Sequence, residues 1–248
     1  MTISVLYILP KKENMKVKSS VENLQILYED NHLIIINKRA GDIVQGDKTG
    51  DSPLSEILKT YLKQRYNKPG EAFLGVVHRL DRPTTGIVVF AKTSKALSRM
   101  NTLFSDKQNV EKIYWAITEN SPSPTEGSLT HWLTRNQEKN KSTAHKKEVK
   151  NSKKAILNYK LLKKFDNYYL LEIQLITGRH HQIRSQLSAI GCVIKGDLKY
   201  GAKRSNPDGS IHLHARKLSF IHPVKKEKIE ITAPVPNDKL WNASNDLS

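Results

Sequence analysis

The stretch that organises this chain is V76-V-H-R-L-D-R-P-T-T-G-I-V-V-F-A-K92. Apolar, strand-like runs lie on both sides of a Pro-Thr-Thr-Gly turn. One carboxylate, Asp81, stands between Arg79 and Arg82, with His78 just before them. Asp-Arg pairs on a surface turn often serve solubility alone. What this carboxylate does depends on what the rest of the chain brings to it.

Working outward, L24-Q-I-L-Y-E-D30 and H32-L-I-I-I-N-K38 read as two strands joined by a turn at Glu29-Asp30-Asn31. The loop 41–51 is rich in Gly and Asp. In S52-P-L-S-E-I-L-K-T-Y-L-K-Q-R-Y66, Leu54, Ile57, Leu58, Tyr61 and Leu62 recur at helical spacing, with Ser52 or Ser55 as a capping residue. The segment 93–106 repeats the pattern through Leu97, Met100, Leu103 and Phe104. Residues 112–119, 155–165, 168–176, 213–223 and 227–235 read as further strands, and H180-H-Q-I-R-S-Q-L-S-A-I-G191 as a helix ending at its glycine. Residues 135–155 are the most polar and basic part of the chain, read equally as a solvated hairpin or loop or as an RNA-contacting arm. The sum is an α+β fold, a mixed, largely antiparallel sheet flanked by helices. Residues 1–20 form a polar lead, and residues 21–248 a single domain.

Composition narrows the function. The chain has 248 residues, 38% of them hydrophobic, enough for a sizeable core. Its 41 Lys and Arg outnumber 24 Asp and Glu, for a formal charge of +17. Such a field favours a polyanionic partner, nucleic acid above all. The single cysteine, Cys192, excludes an intramolecular disulfide and reads as a buried structural thiol. No apolar run approaches the length of a membrane span, and the short apolar S3-V-L-Y-I-L8 has its lysines on the wrong side for a secretory signal. A cytoplasmic protein is expected.

Metal chemistry finds little support. His180-His181 are adjacent and diverge on a helix. His212 and His214 share a strand face but have no acidic or cysteine partner nearby in sequence. Nucleophile-elbow, phosphate-loop and dinucleotide glycine motifs are absent, and the acids are scattered. What remains is Asp81 together with I176-T-G-R-H-H-Q-I-R-S-Q-L187, in which Arg184 lies one helical turn after His180. An arginine fork suits a buried carboxylate better than a lysine does. Spacing alone does not bring the two segments together.

H78-R-L-D-R-P-T-T-G86 resembles the catalytic motif of the RluA-type pseudouridine synthases, His-Arg-Leu-Asp-Arg-x-Thr-Ser-Gly. The likeness continues in order: Y28-E-D-N-H-L-I-I-I-N-K38, K112-I-Y114, T177-G-R-H-H-Q-I-R184, K195-G-D-L-K-Y-G-A202 and the run LHARKLSFIHP from Leu213 to Pro223. It departs at Thr85, where the family usually has serine, and at Arg39, which replaces a common proline and is expected to loosen that turn. The resemblance implies isomerisation of uridine to pseudouridine in RNA, with no cofactor and no metal. It implies Asp81 as the essential carboxylate, acting covalently or through a glycal, Arg184 as its charged partner, and Tyr114 packed against the target base. It further implies Arg79 holding the flipped nucleotide, and Arg82 and Arg179 contacting phosphates. His78, His181 and Gln182 are expected as scaffolding. Residues 21–248 would be the catalytic domain alone, without the extra N-terminal RNA-binding domain of many relatives, acting as a monomer on ribosomal RNA first or transfer RNA second. The rivals are a non-catalytic RNA-binding protein of the same fold and a hydrolase that releases free base.

Overall fold

The computed structural model describes residues 17–46, 50–106 and 109–244. Most of the polar lead, with its apolar stretch 3–8, lies outside them.

The described residues form an eleven-stranded sheet. β1 (Ile26–Glu29) and β2 (Leu33–Lys38) are the expected hairpin pair. After α1 (Leu54–Arg65) come β3 (Gly75–Val76), β4 (Thr85–Ala91) and α2 (Ser94–Ser105). Next are β5 (Val110–Thr118), β6 (Glu126–Asn136), β7 (Lys141–His145), β8 (Lys153–Lys164) and β9 (Tyr169–Leu175). Then follow α3 (Gln182–Ala189), β10 (Leu213–Ile221), β11 (Lys228–Thr232) and the short α4 (Lys239–Asn242). The strand order is β1-β2-β4-β10-β5-β9-β8-β6-β7, with β3 added on β4 and β11 on β10. Every pairing is antiparallel except β4 with β10. The α+β reading, with its mixed and mainly antiparallel sheet, holds.

Period-two alternation explains the core. Ile34, Ile36, Val88 and Phe90 point to α1 and meet Leu54, Leu58 and Leu62. Leu33, Ile35, Ile87 and Val89 point the other way, into the larger cluster that includes Ala96 and Met100 of α2. Both faces of β2 and β4 are therefore buried, as continuous apolar strands require. Thr93 caps α2 by accepting from the Ala96 amide at 3.1 Å. Neither expected serine caps α1: its N-cap is Pro53 and Ser55 lies inside the first turn, buried.

The two halves of the sheet meet where β4 runs parallel to β10, at Thr85–His214 and Gly86–Ala215. Gly86 has φ of 110°, and a Cβ there would collide with the Ala215 backbone, so the seam admits only glycine. Thr85 Oγ1 meets His214 Nδ1 at 2.8 Å, which is the use found for the hydroxyl at this position. Arg39, expected to loosen its turn, instead donates to Ser19 Oγ and Asn23 Oδ1, both at 3.1 Å.

Candidate active site

Asp81 sits on the irregular segment between β3 and β4. The Thr84 amide closes a turn onto the Asp81 carbonyl at 3.0 Å. His78 fastens the start of this segment: its Nε2 accepts from the Val89 amide at 3.2 Å and its ring stacks on Phe104. Burial, with help from the Lys112 charge, pushes the His78 pKa down to about 3, so the ring is a neutral acceptor. Beneath the segment Lys38 is fully buried and donates to the Arg39 carbonyl at 2.8 Å and the Arg82 carbonyl at 3.0 Å. Burial pushes its pKa down to about 7, against the pull of Asp42 and Asp81.

Arg184 reaches this carboxylate from α3. Its Nη1 donates to Asp81 Oδ2 at 2.9 Å, the contact the sequence left open. The same guanidinium is gripped from the other side by Asp197, through Nε to Oδ2 at 2.7 Å and Nη2 to Oδ1 at 2.8 Å. Burial opposes the charge on Arg184, but Asp197 and then Asp81 outweigh it and hold its pKa above that of an ordinary arginine. The two carboxylates differ in exposure: the Asp197 side chain is 1% exposed and that of Asp81 27%. Asp197 spends its charge on the arginine, while Asp81 keeps an open side.

α3 begins two residues later than its sequence pattern suggests. His181 has φ of 50°, a left-handed conformation uncommon outside glycine, and its ring is thereby turned toward Asp81. His181 Nε2 lies 3.4 Å from Asp81 Oδ2, and Nδ1 lies 3.0 Å from the Tyr200 hydroxyl. A proton on Nε2 serves the Asp81 contact, and Nδ1 then shares the Tyr200 hydroxyl proton with the Ser142 carbonyl, which lies 3.1 Å from that hydroxyl. Burial, then the Arg184 charge, depresses the His181 pKa to about 2, keeping the ring neutral. Gln182 secures the approach to the helix. Its Oε1 accepts from Thr177 Oγ1 at 2.7 Å and from the Arg179 amide at 2.9 Å.

Tyr114, on β5 beside Ala215 of β10, joins Asp81, Arg79, Arg179 and Arg184 around a pocket of about 80 Å³. Burial first, and the Asp81 charge second, raise the Tyr114 pKa, so the phenol keeps its proton at neutral pH. A wider cleft of about 550 Å³ opens from Asp81 and is lined also by Arg82, Arg135, His180 and Lys199.

The expected residues thus converge, with one qualification of role. Arg82 lies on the cleft wall but pairs with Asp51 at 2.8 Å, and Arg179 donates through Nε to the Lys154 carbonyl at 3.1 Å. Sequence reasoning missed Asp197, Tyr200 and Lys38. All three lie within quoted segments, but none has a periodic or paired signal that marks it. His212 and His214 share a face, as read, yet both pack against Trp241. Among the described residues no cluster of His, Cys, Asp and Glu is suited to a metal ion, and no helix is long and apolar enough to cross a membrane.

Residues 32–189 match the RNA pseudouridylate synthase family. An uncharacterized RNA pseudouridine synthase of Synechocystis is 36% identical over 86% of this chain and 66% of its own length. Ribosomal large subunit pseudouridine synthase C of Rickettsia felis is 34% identical over 90% of this chain and 71% of its own. Synthase D of Zymomonas mobilis is 31% identical over 87% and 70%. Among solved structures, Human RNA Pseudouridylate Synthase Domain Containing 4 superposes with a TM-score of 0.71 at 28% identity, covering 86% of this chain and 89% of that one. The chain belongs to the RluA-type RNA pseudouridine synthase family.

Proposed function

We propose that this protein isomerises specific uridines of structured RNA to pseudouridine, with Asp81 as the essential carboxylate. The observation that carries this reading is the Asp81–Arg184–Asp197 array: a buried arginine, clamped from behind by one acid, presents a second acid to a small pocket walled by Tyr114. A binding module needs no such arrangement. In the reaction the glycosidic N1–C1′ bond breaks, the uracil turns, a C5–C1′ bond forms, the C5 proton leaves and N1 takes up a proton, so atoms balance without an oxidant, a co-substrate or a cofactor. Asp81 acts ionised, either by attack on the sugar or by assisting glycal formation. Arg184 is its charged partner at 2.9 Å, and Tyr114 packs against the base. Tyr114 also stands to help remove the C5 proton.

Arg79, exposed at the cleft, holds the RNA with the nucleotide flipped out. Flipping costs a few kcal/mol and least in loops, so a loop or bulge is the target. Arg82 and Arg179 stand where phosphates pass. Ribosomal RNA is the first substrate and transfer RNA the second, a ranking supported by relatives named as large-subunit synthases C and D. We further propose that residues 21–248 act as one catalytic domain, monomeric and cytoplasmic, where such RNA is made and folded.

The test is tritium release from RNA carrying 5-tritiated uridine, taken from cells of the source organism lacking this gene. Wild-type protein should release tritium, while Asp81→Asn should release none and still bind the RNA. Release by the variant, or the appearance of free base, would overturn the assignment.

A further inference from the structure

Thr84 and Thr85 are neighbours at the entry to β4, and their hydroxyls are used differently. Thr85 Oγ1 is taken up by His214 Nδ1 at 2.8 Å. Thr84 is buried more deeply, at 1% exposure against 6%, yet its Oγ1 has no hydrogen-bond partner. A buried hydroxyl left unpaired lowers stability, and valine would fill the same space without that loss. Of the buried side-chain atoms without a partner among the described residues, Thr84 Oγ1 alone belongs to the wall of the small pocket that holds Asp81 and Tyr114.

Much of that wall is already committed. Arg184 directs Nε and Nη2 to Asp197 and Nη1 to Asp81. His181 is engaged at both ring nitrogens. Gln182 Oε1 serves Thr177 and the Arg179 amide, while its Nε2 donates to the Ile156 carbonyl at 3.0 Å. Leu80, Ile183 and Leu213 add hydrocarbon. The small pocket and the wider cleft share Arg79, Leu80, Asp81, His181 and Arg184, so the pocket is the inner end of the cleft. Thr84 lines only that inner end. Its amide bonds to the Asp81 carbonyl at 3.0 Å, and a β-branched side chain has few rotamers. The hydroxyl therefore stands at a fixed place relative to the carboxylate.

A ribose at Asp81 puts its base further in, toward Thr84. To exchange N1 for C5 at the sugar, the uracil must turn about the axis through C6 and N3. That turn swaps O2 with O4 and leaves N3–H where it was. One acceptor beside N3 thus keeps its bond in the starting base, the detached base and the product. We infer that Thr84 Oγ1 is that acceptor, taking the N3–H of the target uracil and holding it as the base turns. The inference rests on the isomerase reading above and adds a substrate-holding residue to it. It also gives a use to a hydroxyl that the free protein leaves unpaired.

The experiment compares Thr84→Val, Thr84→Ser and Thr85→Val by chemical denaturation, RNA binding and tritium release. The RNA carries 5-tritiated uridine and comes from cells lacking this gene, with wild type and Asp81→Asn in the same series. Thr84→Val should unfold at a denaturant concentration equal to or above that of wild type, since it removes an unpaired group. Thr85→Val should unfold earlier, because His214 loses its partner. Thr84→Val should bind RNA as wild type does, since the bond to N3–H forms only after the base leaves its stack. Its kcat should fall by at least about 5-fold, because the buried N3–H is left unpaired. Thr84→Ser, which keeps the hydroxyl, should recover most of that loss. Equal turnover by the valine and serine variants would overturn the inference. So would early unfolding of Thr84→Val, which would give the hydroxyl a structural partner. No release from wild type would instead remove the isomerase reading, and the inference with it, so the two failures are told apart.

Discussion

The two ends of the sheet are built on opposite terms. Around β2 and β4 both faces are buried, and the residues between them and α1 and α2 are almost wholly aliphatic or aromatic. At β6 and β7 one face packs on α3, while much of the rest is exposed, polar and cationic. Asp81 hangs from the first region and Arg184 from the helix that backs the second, so the candidate site straddles the difference. Rigidity is concentrated where the carboxylate must be held, and charge where a polyanion must be met.

The largest effect that would break this contrast lies in the apolar end. Phe90→Ala removes a fully buried ring from the α1 cluster and should cost about 3–5 kcal/mol. Chemical denaturation would measure it, and replacing the exposed Lys146, Lys147 and Lys150 together by glutamine should change stability by no more than about 0.5 kcal/mol. If both cost the same, the division of labour fails. Asp197→Ala probes the join. Removing one partner of a buried ion pair should cost about 3–5 kcal/mol and also collapse turnover, since Arg184 loses its clamp. Retained tritium release in a folded Asp197→Ala protein would show that Arg184 needs no backing.

The pH response belongs to the seam. His214 is fully buried, and burial depresses its pKa to about 4 from the ordinary 6.5, so the folded protein holds it neutral while the unfolded chain protonates it below 6.5. Stability should therefore fall as pH drops from 6.5 toward 4, by about 1.4 kcal/mol per pH unit from this group. His181 and His78 add in the same direction. Melting temperature against pH, for wild type and His214→Gln, should show the shallower slope in the variant. The smallest effect sharpens the comparison at the β6–β7 hairpin. His180→Ala removes hydrogen bonds worth about 1 kcal/mol in stability. It should raise KM for RNA while leaving kcat near wild type, with His180→Gln restoring part of the loss. An equal fall in kcat would mean that His180 acts on Asp81 rather than on the β6–β7 hairpin.

Much of the fold was legible because apolar periodicity survives in single segments: the β1–β2 pair, α1, α2 and the strands from β8 to β11. Residues 126–136 carry a strand that reads poorly, since only His131 and Leu133 along it are buried. The parallel meeting of β4 and β10 joins residues about 130 positions apart, and no local pattern announces it. Arg184 and Asp81 are 103 residues apart, so their contact was legible only through the family likeness. Asp197 stayed hidden because it stands alone between Gly196 and Leu198, outside any amphipathic run. The late start of α3 reflects His181: a left-handed residue that serves the site has no signature in hydrophobic spacing.

The lone cysteine gives the molecule a built-in stopwatch. Cys192 is shut in directly after α3, its amide bonded to the Leu187 carbonyl and its thiol pushed by burial up to about 11. A thiol-reactive dye added to the native protein must wait for that corner to open. Its rate of uptake therefore times the transient unlatching of the helix that carries Arg184, without any engineered label.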